Sequence, residues 1–128
     1  MSPNLPKPTN AELEILTALW TLGPATVRDV YDLINRRRPA QYSTTLKFMQ
    51  IMADKGLLLR DDTQKAHIYE AAKTCEWTRR QLAGDLLERA FSGSAKALLV
   101  GALSAKKTTK KELAELVEYI EEYRKNQK

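Results

Sequence analysis

Four side chains near the middle of this sequence could do chemistry together: Ser43, Thr44, Lys47 and Gln50, within the stretch YSTTLKFMQIMADKGLL. Two hydroxyls, an ammonium and a carboxamide are the groups of recognition rather than of bond breaking. At about 100° per residue they share one side of a helix with Asp54, which comes only at its far end. Thr45, Phe48, Met49 and Met52 fall on the opposite side, with Leu46 and Ile51 on the flanks. The polar face therefore begins without an acid. A helix N-terminus adds partial positive charge and unbonded N–H groups at that place. Such a surface suits a phosphate backbone, and Ser, Thr, Lys and Gln can each reach base edges in a major groove. A merely solvated helix face would be polar as well, so the reading needs support from elsewhere in the chain.

Other cations supply part of that support. Arg28 falls in the first turn of a preceding helix, where the dipole disfavours a cation and a phosphate would offset the cost. Tyr42 stands directly before Ser43. Arg36, Arg37 and Arg38 precede the helix, where they also serve as a basic C-terminal cluster of the helix before it. Arg60, Lys65 and His67 surround a polar hairpin tip, from which cations can straddle a phosphate or enter a minor groove. His67 is the single histidine; it suits a phosphate donor and a packed hairpin residue equally.

Catalysis is poorly served. One Cys, one His and no glycine-rich phosphate loop leave few ways to assemble an active site. Ser43 has no obvious base, and Asp61–Asp62 read as turn residues. Cys75 stands alone, so neither an internal disulfide nor a cysteine-cluster metal site is expected. The reading is therefore not an enzyme, with no cofactor and no metal.

The elements that must position these residues follow from punctuation and period. The leader MSPNLPKPT, residues 1–9, has three prolines and reads as flexible. Thr9 and Glu12 have the spacing of a capping box, opening a helix from about Asn10 to Leu22. Its apolar residues recur at three- and four-residue intervals. Gly23 and Pro24 end it. Thr26 opens a second helix with Asp29 three residues on, and Pro39 stops it. Ser43 is expected to cap the third helix, which ends at Lys55–Gly56. LLLRDD and AHIYEAA then read as two short strands joined by a polar tip. Three helices followed by a hairpin is the order of a winged helix-turn-helix, placed over residues 10–72.

Beyond it the chain reads as helix throughout, capped by Thr74 and again by Thr109 with Glu112. The fold class is mostly α with a small β-hairpin wing. About fifty residues of amphipathic helix bury too little surface to stand alone, so residues 73–128 are expected to pair with a second copy. The residues expected to carry that pairing are Leu82, Leu86, Phe91, Leu98, Leu99, Leu103, Leu113, Leu116, Val117 and Ile120. Folding back onto the N-terminal domain is the competing arrangement.

Bulk properties fit this frame. The 128 residues suit one compact domain with an appendage. The 43% hydrophobic and 29% charged residues are ordinary for a globular protein and argue against wholesale disorder. No apolar run approaches the ~20 residues of a membrane span, and no signal peptide is legible, so no membrane insertion and a cytoplasmic location are expected. The net charge of +5 permits a polyanionic partner. Its distribution is less helpful. Residues 1–72 hold nine Lys/Arg against eight Asp/Glu, and residues 73–128 twelve against eight. Individual positions matter more than the sum.

AELEILTALWTLGPATVRDVYDLI, YSTTLKFMQIMADKGLLLRD, HIYEA and LLERAFSGSAKALL, spanning about Asn10 to Arg124, resemble the penicillinase-repressor (BlaI/MecI/CopY) family. Glu12, Ile15, Leu19 and Trp20 carry its helix 1 pattern, with TVRDV and DKGLL as further matches. The resemblance implies a winged-helix transcriptional repressor, bound as a homodimer to a palindromic operator in double-stranded DNA. It places Ser43, Thr44, Thr45, Lys47 and Gln50 on the recognition helix, although the wheel turns Thr45 inward. In β-lactam-responsive members a membrane sensor-protease prompts cleavage at an Asn-Phe bond, and the matching place here is Gly101–Ala102. Copper-responsive members use paired Cys-x-Cys motifs, which one cysteine cannot supply. The alternative is a winged helix that docks protein without a specific DNA target.

Overall fold

The computed structural model describes residues 7–127; most of the expected leader, residues 1–6, lies outside the described residues. The element order is α1 (Asn10–Leu22), α2 (Val27–Arg37), α3 (Tyr42–Asp54), β1 (Leu58–Asp61), β2 (Ile68–Ala71), α4 (Cys75–Ala90), α5 (Ala95–Ala105) and α6 (Lys110–Lys125). The chain divides into two compact units, Met1–Leu82 and Ala83–Lys128, with the division inside α4.

In the first unit, local hydrogen bonds set the helix limits. The Glu12 N–H donates to Thr9 Oγ1 (3.2 Å), and the Thr9 N–H donates to Glu12 Oε1 (2.9 Å). Thr26 and Asp29 make the same reciprocal pair at the start of α2. Gly23, at φ +78°, ends α1 by donating its N–H to the Leu19 carbonyl. A left-handed Gly56 ends α3, where the Leu57 N–H returns to the Met52 carbonyl and the Gly56 N–H to that of Ala53. This is a Schellman closure, and it delivers Leu57 into the core.

The start of α3 differs from the sequence expectation. The residue preceding the helix is Gln41, and no side chain caps it. Ser43, expected as the cap, lies inside the first turn. The Gln41 carbonyl takes both the Thr45 N–H and the Thr45 hydroxyl (3.1 and 3.3 Å), so the helix begins earlier than the hydroxyl signal suggested.

β1 and β2 pair antiparallel with Leu58 opposite Ala71 and Arg60 opposite Tyr69. Ala25, between α1 and α2, exchanges two backbone hydrogen bonds with Tyr69 and adds a short third edge to the hairpin. The three helices and this sheet enclose one core, in which Val30, Met49, Met52 and Tyr69 are almost wholly inaccessible, with Ile15, Leu16, Leu19, Ile34 and Leu58 around them. The Trp20 indole N–H donates to the Lys73 carbonyl (3.0 Å), tying α1 to the segment that leads into α4. Among the described residues this is a winged helix-turn-helix followed by further helices.

In the second unit, side-chain caps mark the helix starts and Phe91 packs against α5. Ser94 caps α5 and Thr109 caps α6. The ring of Phe91 lies so near Gly101 that an added Cβ there would stand 3.3 Å from Cε1. No residue of α5 or α6 is buried within the chain.

Candidate nucleic-acid interface

The outward face of α3 is assembled as the helical wheel indicates. Ser43, Thr44, Lys47 and Gln50 are exposed, and Met49 and Met52 hold the opposite side in the core. Asp54 is exposed at the last position of the helix. Thr45 does not join the outward set. It is 5% exposed with its hydroxyl turned to the Gln41 carbonyl, so the resemblance-based assignment of Thr45 as a contact residue is corrected. Ile51, expected on a flank, is 39% exposed on the outer side, while Phe48 is only half-buried.

The first turn of α3 is electrostatically distinct. Of the six helices among the described residues, five begin at a Thr or Ser whose hydroxyl accepts a first-turn N–H: Thr9, Thr26, Thr74, Ser94 and Thr109. α3 has no such cap, which leaves the N–H groups of its opening turn facing outward beside two free hydroxyls. Arg28 stands next to it. Its guanidinium carbon lies 4.6 Å from the centre of the Tyr42 ring and 5.5 Å from that of Tyr31. The two rings meet edge to face at 5.7 Å. Arg28, in the first turn of α2, is thus fixed over Tyr42, in the first turn of α3, by contacts that leave its charge unneutralised. The part Tyr31 plays here depends on how two helices meet, which local spacing does not specify.

Two other predicted cations, Arg38 and Arg60, are engaged by acids. Arg38 is paired with Glu14 through two donors on one guanidinium edge, Nε and Nη2, and the carboxylate holds its pKa above the ordinary value. It is therefore held against α1. At the wing, the Arg60 pKa is also raised, first by the Tyr69 phenol and then by Asp62, whose carboxylate lies 2.9 Å from Arg60 Nε. The same carboxylate is 3.5 Å from His67 Nδ1. Asp61 accepts the Thr63 hydroxyl and N–H, which hold its pKa below the ordinary value and shape the turn. Lys65 is exposed at the tip. The wing is thus an internally balanced set of charges rather than a basic finger. Arg60 and His67 are brought together, but around an acid.

The far end of α3 is tied down by a pair that sequence reading missed. Lys55 Nζ lies 2.7 Å from Glu12 Oε2, and Glu12 is 3% exposed. Burial opposes ionisation of Glu12, but the Lys55 ammonium and the Thr9 N–H and hydroxyl outweigh it, and the pKa lies below the ordinary carboxylate value. Among the described residues, no three His, Cys, Asp or Glu side chains gather as a metal site requires. No helix there is long and apolar enough to cross a membrane.

The residues assigned to pairing divide between half-buried and exposed. Leu82, Phe91, Leu98, Leu99 and Leu116 are half-buried. Leu86, Leu103, Leu113, Val117 and Ile120 are exposed, Val117 at 60%. The Gly101–Ala102 bond lies inside α5, with Gly101 half-buried.

A buried three-helix core, a short wing and an outward helix with an uncapped start define a winged-helix protein. The family model described as penicillinase repressor matches residues 8–122, and the chain belongs to that family. It is 33% identical over 91 residues to proteins named transcriptional regulator BlaI from two strains of Mycobacterium tuberculosis, CDC 1551 / Oshkosh and ATCC 25618 / H37Rv. Each match covers 70% of this chain and 66% of the relative's length.

Proposed function

We propose that this protein is a dimeric, sequence-specific DNA-binding transcriptional repressor of the cytoplasm, with α3 of each copy in a major groove of a palindromic operator. The observation that carries the reading is the start of α3. An uncapped helix N-terminus, with Ser43 and Thr44 in its first turn, Lys47 in its second and Arg28 held alongside, offers N–H groups, hydroxyls and two cations on one surface. That set fits a phosphate and the base edges next to it. Gln50 extends the same face. Tyr42 orients Arg28 and stands at the edge of the proposed contact. The wing contributes Lys65 as a phosphate contact, with Arg60 and His67 joining only where Asp62 releases them. Family membership and the name of the mycobacterial relatives support the regulatory role.

The dimer is supported by the apolar side chains that α4, α5 and α6 leave uncovered. Two copies related by a two-fold axis match a palindrome. Release by scission of Gly101–Ala102, prompted by a membrane sensor-protease, remains part of this reading. A helix must open locally before a protease can take it as an extended chain, so cutting there would begin with unwinding of α5.

The deciding experiment is a salt titration of binding to fragments of the DNA flanking the protein's own gene. The expected result is one tightly bound fragment with two chains per site and a steep salt slope, close to −0.9 per phosphate neutralised. Lys47→Ala and Thr44→Ala should weaken that binding by roughly tenfold. Equal, weak binding to every fragment, unmoved by these substitutions, would sink the repressor reading and favour protein docking through the same face.

A further inference from the structure

The outward strip of α3 contains one residue that neither solvation nor phosphate contact explains. Ser43, Lys47 and Ile51 succeed one another at four-residue spacing, with Thr44 beside them. Ile51 is 39% exposed. Together with Ser43, Thr44, Lys47 and the half-buried Phe48 it lines a shallow, mainly apolar depression of about 350 Å³. A lone exposed aliphatic residue is ordinary, but this one is joined to an aromatic ring and sits on the face proposed to enter DNA.

The occupant can be argued from chemistry. The major groove presents hydrogen-bonding atoms at every base pair and one apolar group, the C5 methyl of thymine. No acid lines the depression, Lys47 forms its rim, and the uncapped first turn of the same helix lies along it. These neighbours suit a polyanion with an apolar feature better than an apolar protein segment. We propose that Ile51 and Phe48 form a thymine-reading site, in which the 5-methyl group of a base enters the depression while Thr44 and Lys47 engage polar atoms beside it. This specificity role rests on the DNA-binding reading above. Ile51 lies eight positions beyond Ser43, about 12 Å along the helix axis. The thymine it reads therefore lies within about three to four base pairs of the base nearest Ser43, at about 3.4 Å of duplex axis each.

Replacing thymine by deoxyuridine removes only the methyl group and so isolates this contact. Full-length protein would first select duplexes from a randomised pool. Each thymine of the selected site would then be replaced singly by deoxyuridine. The expected result is a roughly fourfold loss of affinity at one thymine, the value of one buried methyl group. Ile51→Ala should bind the thymine and uracil duplexes alike with an unchanged salt slope, and Ile51→Leu should keep part of the discrimination. Far-UV circular dichroism of Ile51→Ala verifies that the helix is intact. Neutral replacement at every position, in a site still bound specifically, overturns the thymine-reading site and leaves DNA binding standing. Failure to select any duplex overturns both.

Discussion

Glu12 holds together more of the site than its place far from the outward face suggests. One carboxylate oxygen accepts the Thr9 N–H and closes the cap of α1, and the other meets Lys55 at the end of α3. The pair thereby sets where the far end of α3 lies relative to α1. Because the pKa of Glu12 is lowered in the fold, its contribution is complete at neutral pH. It begins to fall as the pH drops through the ordinary carboxylate value and is gone below the folded one. Glu12→Ala removes both arms and should cost about 2–4 kcal/mol in urea denaturation at neutral pH. Glu12→Gln keeps a capping arm and should cost less. The Gln variant should also lose stability less steeply than wild type between about pH 5 and about pH 3. Equal slopes would show that the acid sensitivity arises elsewhere. The capping role of Glu12 was legible from Thr9 three residues before it. The Lys55 partner was not, since 43 residues separate the two.

At the scale of elements, helix ends were largely readable because their signals occupy four residues. Thr9 with Glu12, Thr26 with Asp29, and Gly23 each act where their spacing indicates. The start of α3 was misread because a hydroxyl run, Ser43 to Thr45, offers several caps and the fold uses none of them. Its first turn is left open to water or to a ligand. Glycine gives a second test at this scale. Gly84 lies in the interior of α4, and an added Cβ would meet nothing within 4 Å in the chain. Gly84→Ala should therefore raise stability by about 0.5–1 kcal/mol, read from the thermal transition. A fall instead would show that a second chain packs closely against α4 at this residue. Gly101 differs, because the Phe91 ring already occupies the space beside it.

For the whole molecule, the two units are built on different principles. The first has a closed core; the second exposes Val100, Val117, Ile120 and Tyr123 by roughly half or more of their surface, with nothing in α5 or α6 buried. The proposed pairing of two copies would cover that surface. Sedimentation at micromolar concentration should give the mass of two chains, and the midpoint of thermal unfolding should rise with protein concentration. Val117→Glu combined with Ile120→Glu should yield monomers and abolish two-chain occupancy of DNA. A monomeric wild type, with a concentration-independent midpoint, would remove the basis for a palindromic operator.

The sequence by itself determined the order of elements, the inward stripe of α3 through Met49 and Met52, the outward polar set and the resemblance to the family. Each depends on period, capping or local spacing, which act over one or two turns of chain. Only the tertiary structure decided which charges are free. Arg38 answers Glu14 across 24 residues, Asp62 occupies Arg60 and His67 at the wing, and Arg28 lies unneutralised over Tyr42 where α2 and α3 meet. It also decided that Thr45 is buried and that Ala25 adds an edge to the hairpin. The physical reason is one of distance. A charge is neutralised by whatever packing places within a few ångströms, and that neighbour is drawn from anywhere along the chain.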